Sequence, residues 1–419
     1  MDAKIYFPLN AILVAGLMLS ACASLNETAQ PISGDFGPQI STEEHQTATF
    51  EALWERLEKY YISFDTADVD WDSVHEEYLE RINTGLSNEE FTALLNELET
   101  ELPEGTLTYQ SRAERIAAEI EDTTTYEGIG AFLDFHAEPE PHIVLLAISD
   151  GSPAELAGLK AHDSIFEING DPIQLEEGLN AAERIRGPAG SAVFLNVQSP
   201  GGSQRTIEVI RGKLAGIGKL ESRMVDGTNY GYILMPPIGY ETMVEDVLKS
   251  LQTFTSNQKL EGLILDLRVA GSASGWPLEE MLTIFYDGNV GEFYNRSQSQ
   301  AVSVDGQDVF SSQSVPLLVL IGQNTKGFPE ILAASLQSNN RATLMGESTP
   351  GEVETSTSFY LPDGSIVFIQ STSFRSLNGE EIGESGVQPD VLNDAGWDEF
   401  LPDQDPVLDA AVEYLGAAK

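Results

Sequence analysis

Apolar residues near the start of the chain recur at helical spacing. Phe50, Leu53, Trp54 and Leu57 stand at i, i+3, i+4 and i+7, which gathers them on one helix face. Ser87 and Glu90 form the pair of a capping box ahead of Phe91, Leu94, Leu95 and Leu98. The pattern predicts a helical region over residues 47–125. At Tyr126 it changes to short apolar runs punctuated by glycine. Ile143, Val144, Leu145, Leu146 and Ile148 read as a buried strand, Ser152-Pro153-Ala154 as the start of a short helix, and residues 193–197 as a further strand. A third pattern begins at Asn229. Gly262-Leu263-Ile264-Leu265-Asp266-Leu267-Arg268 and residues 315–321 are apolar without alternation, as expected of parallel strands covered on both faces. Residues 295–314 are polar and predict a surface excursion.

A short apolar run over residues 11–19 leads into Leu19-Ser20-Ala21-Cys22. It is too short to span a bilayer, which takes about 20 residues, and has the length of a signal-peptide core. The four residues resemble the lipobox of bacterial lipoproteins, in which the cysteine is acylated and becomes the new N-terminus. That resemblance implies a signal peptide over residues 1–21, lipidation at Cys22 and an extracytoplasmic protein anchored to a membrane of the bacterial cell envelope. An ordinary secretory signal with an incidental cysteine is the plainer alternative. Residues 22–46 are polar, contain Pro31, Gly34 and Gly37, and read as a flexible tether.

Composition narrows the function. The chain has 419 residues, 41% of them hydrophobic, enough for two or three domains with their own cores. Twenty-two Lys+Arg stand against 67 Asp+Glu, a net charge of −45. No nucleic-acid partner is expected, because phosphates need a cationic surface. The single cysteine excludes an internal disulfide framework. The five histidines (His45, His75, His136, His142, His162) lack ligand spacing, so neither a metal nor a cofactor is expected. Residues 41–125 hold 22 acids and 5 Lys/Arg. Solvated helix faces explain most of that charge, and a binding surface is the alternative.

The phrases GSPAELAGL, D-S-I-F-E-I-N-G and I-R-G-P-A-G occur in order within residues 126–213. They resemble a circularly permuted PDZ domain of bacterial proteases. His162 replaces a glycine usual there and is expected only to stiffen a turn. With Y-E-G-I-G-A, Y-G-Y-I, G-L-I-L-D-L-R, R-A-T-L-M-G-E, L-P-D-G-S and G-V-Q-P-D, the chain resembles the carboxyl-terminal processing, or tail-specific, proteases over about residues 47–395. The resemblance implies an α/β (α+β multidomain) fold: a helical cap over 47–125, a β-barrel-like PDZ module over 126–213, a crotonase-related αβ core over 214–395 and a helical tail over 396–419.

The family cuts peptides with a Ser–Lys dyad, in which a neutral, desolvated lysine takes the serine proton. Aligned on Glu330-Ile331 and on residues 341–347, the serine position is Gly327 and the lysine position is Glu352. An aspartate that some members place between them maps to Ser338. Both dyad members are missing, so no catalytic residue is expected. Gly271-Ser272-Ala273-Ser274 imitates the nucleophile phrase but follows the D-L-R strand, and a glycine-rich turn is its plainer reading. Thr325 and Lys326 are sequence neighbours that rarely aim at each other, and all the histidines precede residue 163.

Binding remains. PDZ domains add a peptide as an extra strand and hold its terminal carboxylate on backbone N–H groups. The expected peptide-binding residues are Gly128, Ile129, Gly130 and Ala131, with the alternative that they only pack the module onto the core. The expected partners are polypeptide or protein C-termini. An active serine endopeptidase with relocated residues, and a purely structural envelope protein, are the competing functions.

Overall fold

The computed structural model describes residues 42–103, 105–120, 126–214, 219–256, 259–271, 276–397, 400 and 404–417. Cys22, the signal peptide, most of the tether, Ser272 and Ser274 lie outside the described residues. The chain divides into two units, the first of which joins the N-terminal residues to 293–300 and 354–373.

The first unit holds helices Thr42–Tyr60, Trp71–Ile82, Asn88–Glu101 and Arg112–Ile120. The Ser87–Glu90 box caps the third as predicted: Ser87 Oγ accepts from Glu90 N–H at 3.2 Å, and Glu90 accepts from Ser87 N–H at 2.8 Å. The first helix begins at Thr42, five residues ahead of the expected start at residue 47. Its opening turns carry Glu43 and Glu44, which favour a helix N-terminus. Gln46 and Thr49 are buried there, Gln46 bonding to the Leu86 carbonyl at 3.2 Å. Polar residues facing inward conceal that start from a hydrophobic count. The unit is not purely helical either. Strand Leu107–Gln110 pairs antiparallel with Ile366–Ser376, which pairs on with Thr355–Tyr360. Phe50, Leu53, Leu57, Tyr78 and Leu98 pack with Phe359, Leu361, Val367 and Ile369 in one core.

The second unit contains the PDZ-type sheet and a largely parallel sheet. In the PDZ-type sheet the order is Ala131–His136, His142–Ile148, Ser164–Ile168, Ala192–Gln198, Arg205–Ile210. Ser152 caps the short helix Pro153–Leu156. Asn169 and Gly170 both take positive φ (57° and 86°) and turn the chain so that Ile168 pairs with Asp171, the geometry that favours Asn-Gly hairpins. His162 does more than stiffen a turn. It sits at φ 73°, and its ring lies 4.3 Å from that of Trp397, with Nδ1 2.5 Å from the Trp397 carbonyl.

The parallel sheet runs Glu221–Met224, Tyr230–Leu234, Gly262–Asp266, Leu317–Ile321, Ala342–Gly346, Val391–Leu392, with only the first pair antiparallel. Gly262–Asp266 and Leu317–Ile321 are buried at every position, as their unbroken apolar runs require. Helix Pro406–Ala417, expected in a separate tail, places Val407, Leu408, Ala411 and Leu415 in a cluster with Ile264, Leu318 and Leu320. The expected surface excursion contains strand Ser299–Val304, whose small polar residues hide its alternation. Arg268 bonds to Asp266 and Asp405, each at 2.5 Å from Nη2, which pairs its buried charge.

Because Phe50 is fully buried in the first unit's core, Phe50→Ala should cost about 3–5 kcal/mol. Urea unfolding followed by circular dichroism measures it.

Candidate functional site

The segment that carries the expected dyad position begins where strand Leu317–Ile321 ends. Thr325 is fully buried. Its hydroxyl donates to the Leu267 carbonyl at 2.8 Å and accepts from Gly322 N–H at 3.0 Å. Lys326 N–H bonds to the Ala270 carbonyl at 3.0 Å. These contacts tie the turn to the end of the neighbouring strand. Gly327 follows with φ 71° and ψ −125°, a conformation L side chains rarely adopt, and immediately precedes helix Phe328–Ser338. Pro329 in the first turn suits a helix start.

Glu330 holds the site together. Its carboxylate is fully buried. Oε2 accepts from Gly327 N–H at 2.8 Å, while Oε1 accepts from Gly351 N–H at 2.6 Å and from the Thr349 hydroxyl at 2.5 Å. Thr349 Oγ1 accepts in turn from Val387 N–H at 2.8 Å. One carboxylate thus clamps the helix start to the loop at 349–351. On the solvent side Lys326 Nζ donates to Glu352 Oε1 at 2.8 Å. The two loops that carry positions 327 and 352 therefore lie side by side, joined twice.

The chemistry this permits is narrow. Gly327 offers no side chain. Thr325 and Lys326 aim apart, one inward to a carbonyl, the other outward to Glu352. The lysine is partly exposed and its ammonium is paired with the Glu352 carboxylate. Ser338 donates to its own helix, to the Ser335 carbonyl at 3.3 Å. Burial raises the Glu330 pKa above its ordinary value of 4.5, against the bonds from Thr349, Gly327 and Gly351 that favour the ionised form. Among the described residues no His, Cys, Asp or Glu cluster is arranged to hold a metal ion.

The expected peptide-binding residues form a short bend. Tyr126–Gly128 pairs with Gly212–Leu214. The Ile129 side chain is buried in the PDZ core, and its carbonyl accepts from Ala154 N–H at 2.8 Å. Gly130 has φ 78°, and its carbonyl accepts from Ser149 N–H at 2.9 Å. Ala131 opens the strand Ala131–His136, which ends the sheet order and pairs within it only with His142–Ile148. Asn324, three residues before Gly327, donates to Asp134 of that strand at 2.8 Å. Burial raises the Asp134 pKa, but bonds from His136, Asn324 and Phe135 N–H outweigh it and hold the carboxyl below its ordinary value. Glu330 and Asn324 were not legible as site residues. An acid at the third position of a helix after Gly-x-Pro is the one signal that points to Glu330.

A PDZ-type sheet and a parallel αβ sheet share the second unit. The family comparisons agree. Residues 229–392 match the peptidase family S41 model, residues 144–199 a PDZ domain model and residues 42–99 the tricorn protease C1 domain model. The chain thus carries a peptidase family S41 domain together with a PDZ domain. It is 32% identical to a carboxyl-terminal-processing protease of Picosynechococcus over 64% of this chain and 65% of that protein, so it spans just under two thirds of that relative. A carboxyl-terminal-processing protease of Synechocystis is 29% identical, over 87% of this chain and 84% of its own length. The solved photosystem II D1 C-terminal processing protease shares the fold, with a TM-score of 0.64 at 22% identity over 90% of this chain and 98% of that one.

A carboxyl whose pKa is raised on folding binds its proton more tightly in the native state, so its contribution to stability falls as pH climbs above 4.5. Glu330→Gln removes that decline. The stability difference, variant minus parent, should increase from pH 4 to pH 7 in urea titrations.

Proposed function

We propose that this S41 chain is an envelope lipoprotein that binds polypeptide C-termini through its PDZ module and has lost Ser–Lys catalysis. The observation that carries the loss is the occupant of the helix start. Position 327 has only main chain, so it presents no hydroxyl to attack a peptide carbonyl. The edge strand Ala131–His136 supports peptide addition, and the Leu19–Cys22 phrase supports the anchor. The named proteases among its relatives are processing enzymes, and the S41 scaffold here serves recognition without cleavage.

Purified protein incubated with an unfolded protein substrate and a fluorophosphonate probe should show neither turnover nor labelling above a boiled control. Turnover that Ser272→Ala or Ser274→Ala abolishes would overturn the loss of catalysis. A peptide ending in a free carboxylate should bind at least tenfold tighter than its amidated twin by fluorescence anisotropy. Equal binding, or none by either, would overturn the recognition half.

A further inference from the structure

The first unit contains a concave site that the S41 chemistry does not use. A cavity of about 520 Å³, within the size range of ligand pockets, opens between helices Thr42–Tyr60 and Trp71–Ile82. Its walls include Trp54, Phe64 and Trp71. Phe64 and Trp71 stack at 4.5 Å with 12° between planes, and Trp54 meets Trp71 edge-on at 6.1 Å. Trp71 is fixed in place by its indole N–H, which donates to the Phe64 carbonyl at 2.8 Å. Around these rings stand Glu51, Glu55, Glu58, Asp70 and Asp72. Glu51 pairs with His75 at 3.2 Å, and Asp70 caps Ser73. The Glu55, Glu58 and Asp72 carboxylates have no bonding partner among the described residues.

Acidic side chains alone would say only that the face is solvated. The aromatic walls and one resident cation say more. Arg296, brought to the flank of the cavity by the chain's return, places its guanidinium 5.2 Å from the Phe64 ring centroid. It donates to Asp65 at 2.6 Å and to the Glu58 carbonyl. Ring face, carboxylate and carbonyl are the three elements of guanidinium recognition, and the protein has filled one such seat with its own side chain. The Trp54 and Trp71 rings and the Glu55, Glu58 and Asp72 carboxylates line the cavity next to it, so ring and carboxylate are again offered together. The net charge of −45 draws cationic ligands towards such a site.

We propose that this cavity binds an arginine side chain of a polypeptide segment, stacked on Trp71 and paired with the Glu55 and Glu58 carboxylates. Arginine is favoured over lysine because a planar guanidinium stacks on a ring and forks onto a carboxylate, whereas an ammonium is a hydrated point charge. The site is separate from the PDZ edge and stands whether or not the proposed function does.

The test uses the full chain and three peptides of one sequence carrying arginine, lysine or glutamine at a central position, each amidated at its C-terminus to suppress carboxylate recognition. Tryptophan fluorescence reports binding. The arginine peptide should bind at least tenfold tighter than the glutamine peptide and severalfold tighter than the lysine peptide, and affinity should fall as salt rises. The exposed double variant Glu55→Gln/Glu58→Gln should fold normally by circular dichroism and weaken the arginine peptide at least tenfold. Trp71→Phe, which keeps an aromatic face but loses the indole N–H bond, should weaken it less. Equal affinity for the arginine and glutamine peptides, an unchanged Kd in the double variant, or binding of spermidine but not of the arginine peptide would each overturn the proposal.

Discussion

One buried carboxylate organises the region around which the family's chemistry turns. Glu330 lies in the first turn of its helix and satisfies donors that a helix start always leaves without intrahelical partners. It also reaches Gly351 and Thr349, so the same group fixes the loop opposite. Removing such a carboxylate leaves several polar groups buried and unpaired at once, which is costly. The arrangement is therefore stable as it stands.

Much of the αβ architecture was legible because burial on both faces leaves an unmistakable mark. The runs Gly262–Asp266 and Leu317–Ile321 are buried throughout, and the PDZ turns carry the asparagine and glycine that positive φ demands. What was hidden was polar or non-local. Gln46 and Thr49 face inward on hydrogen bonds, so the first helix began earlier than its hydrophobic stripe. The strand Ser299–Val304 has only two large apolar residues, Val302 and Val304, among serine, glutamine and alanine, and reads as a loop. Helix Pro406–Ala417 looked like a tail because nothing local says which sheet it will cover.

The site was legible in its outline only. Ordered phrases located Gly327 and Glu352, and the Lys326–Glu352 and Glu330–Gly351 bonds bring their loops together. The partners that decide the chemistry are read from space. Asn324 meets Asp134 across 190 positions of chain, and His162 meets Trp397 across 235. A turn residue judged in isolation could not disclose that its ring has a second task.

The N-terminal helices share their core with Phe359, Leu361, Val367 and Ile369. Arg115 bonds to the Gly364 carbonyl, 249 residues further on. A nascent chain emerging from a ribosome thus presents an amphipathic bundle whose matching strands do not yet exist. Until translation has passed residue 369, that surface has no internal cover, and contacts of such long range are slow to form.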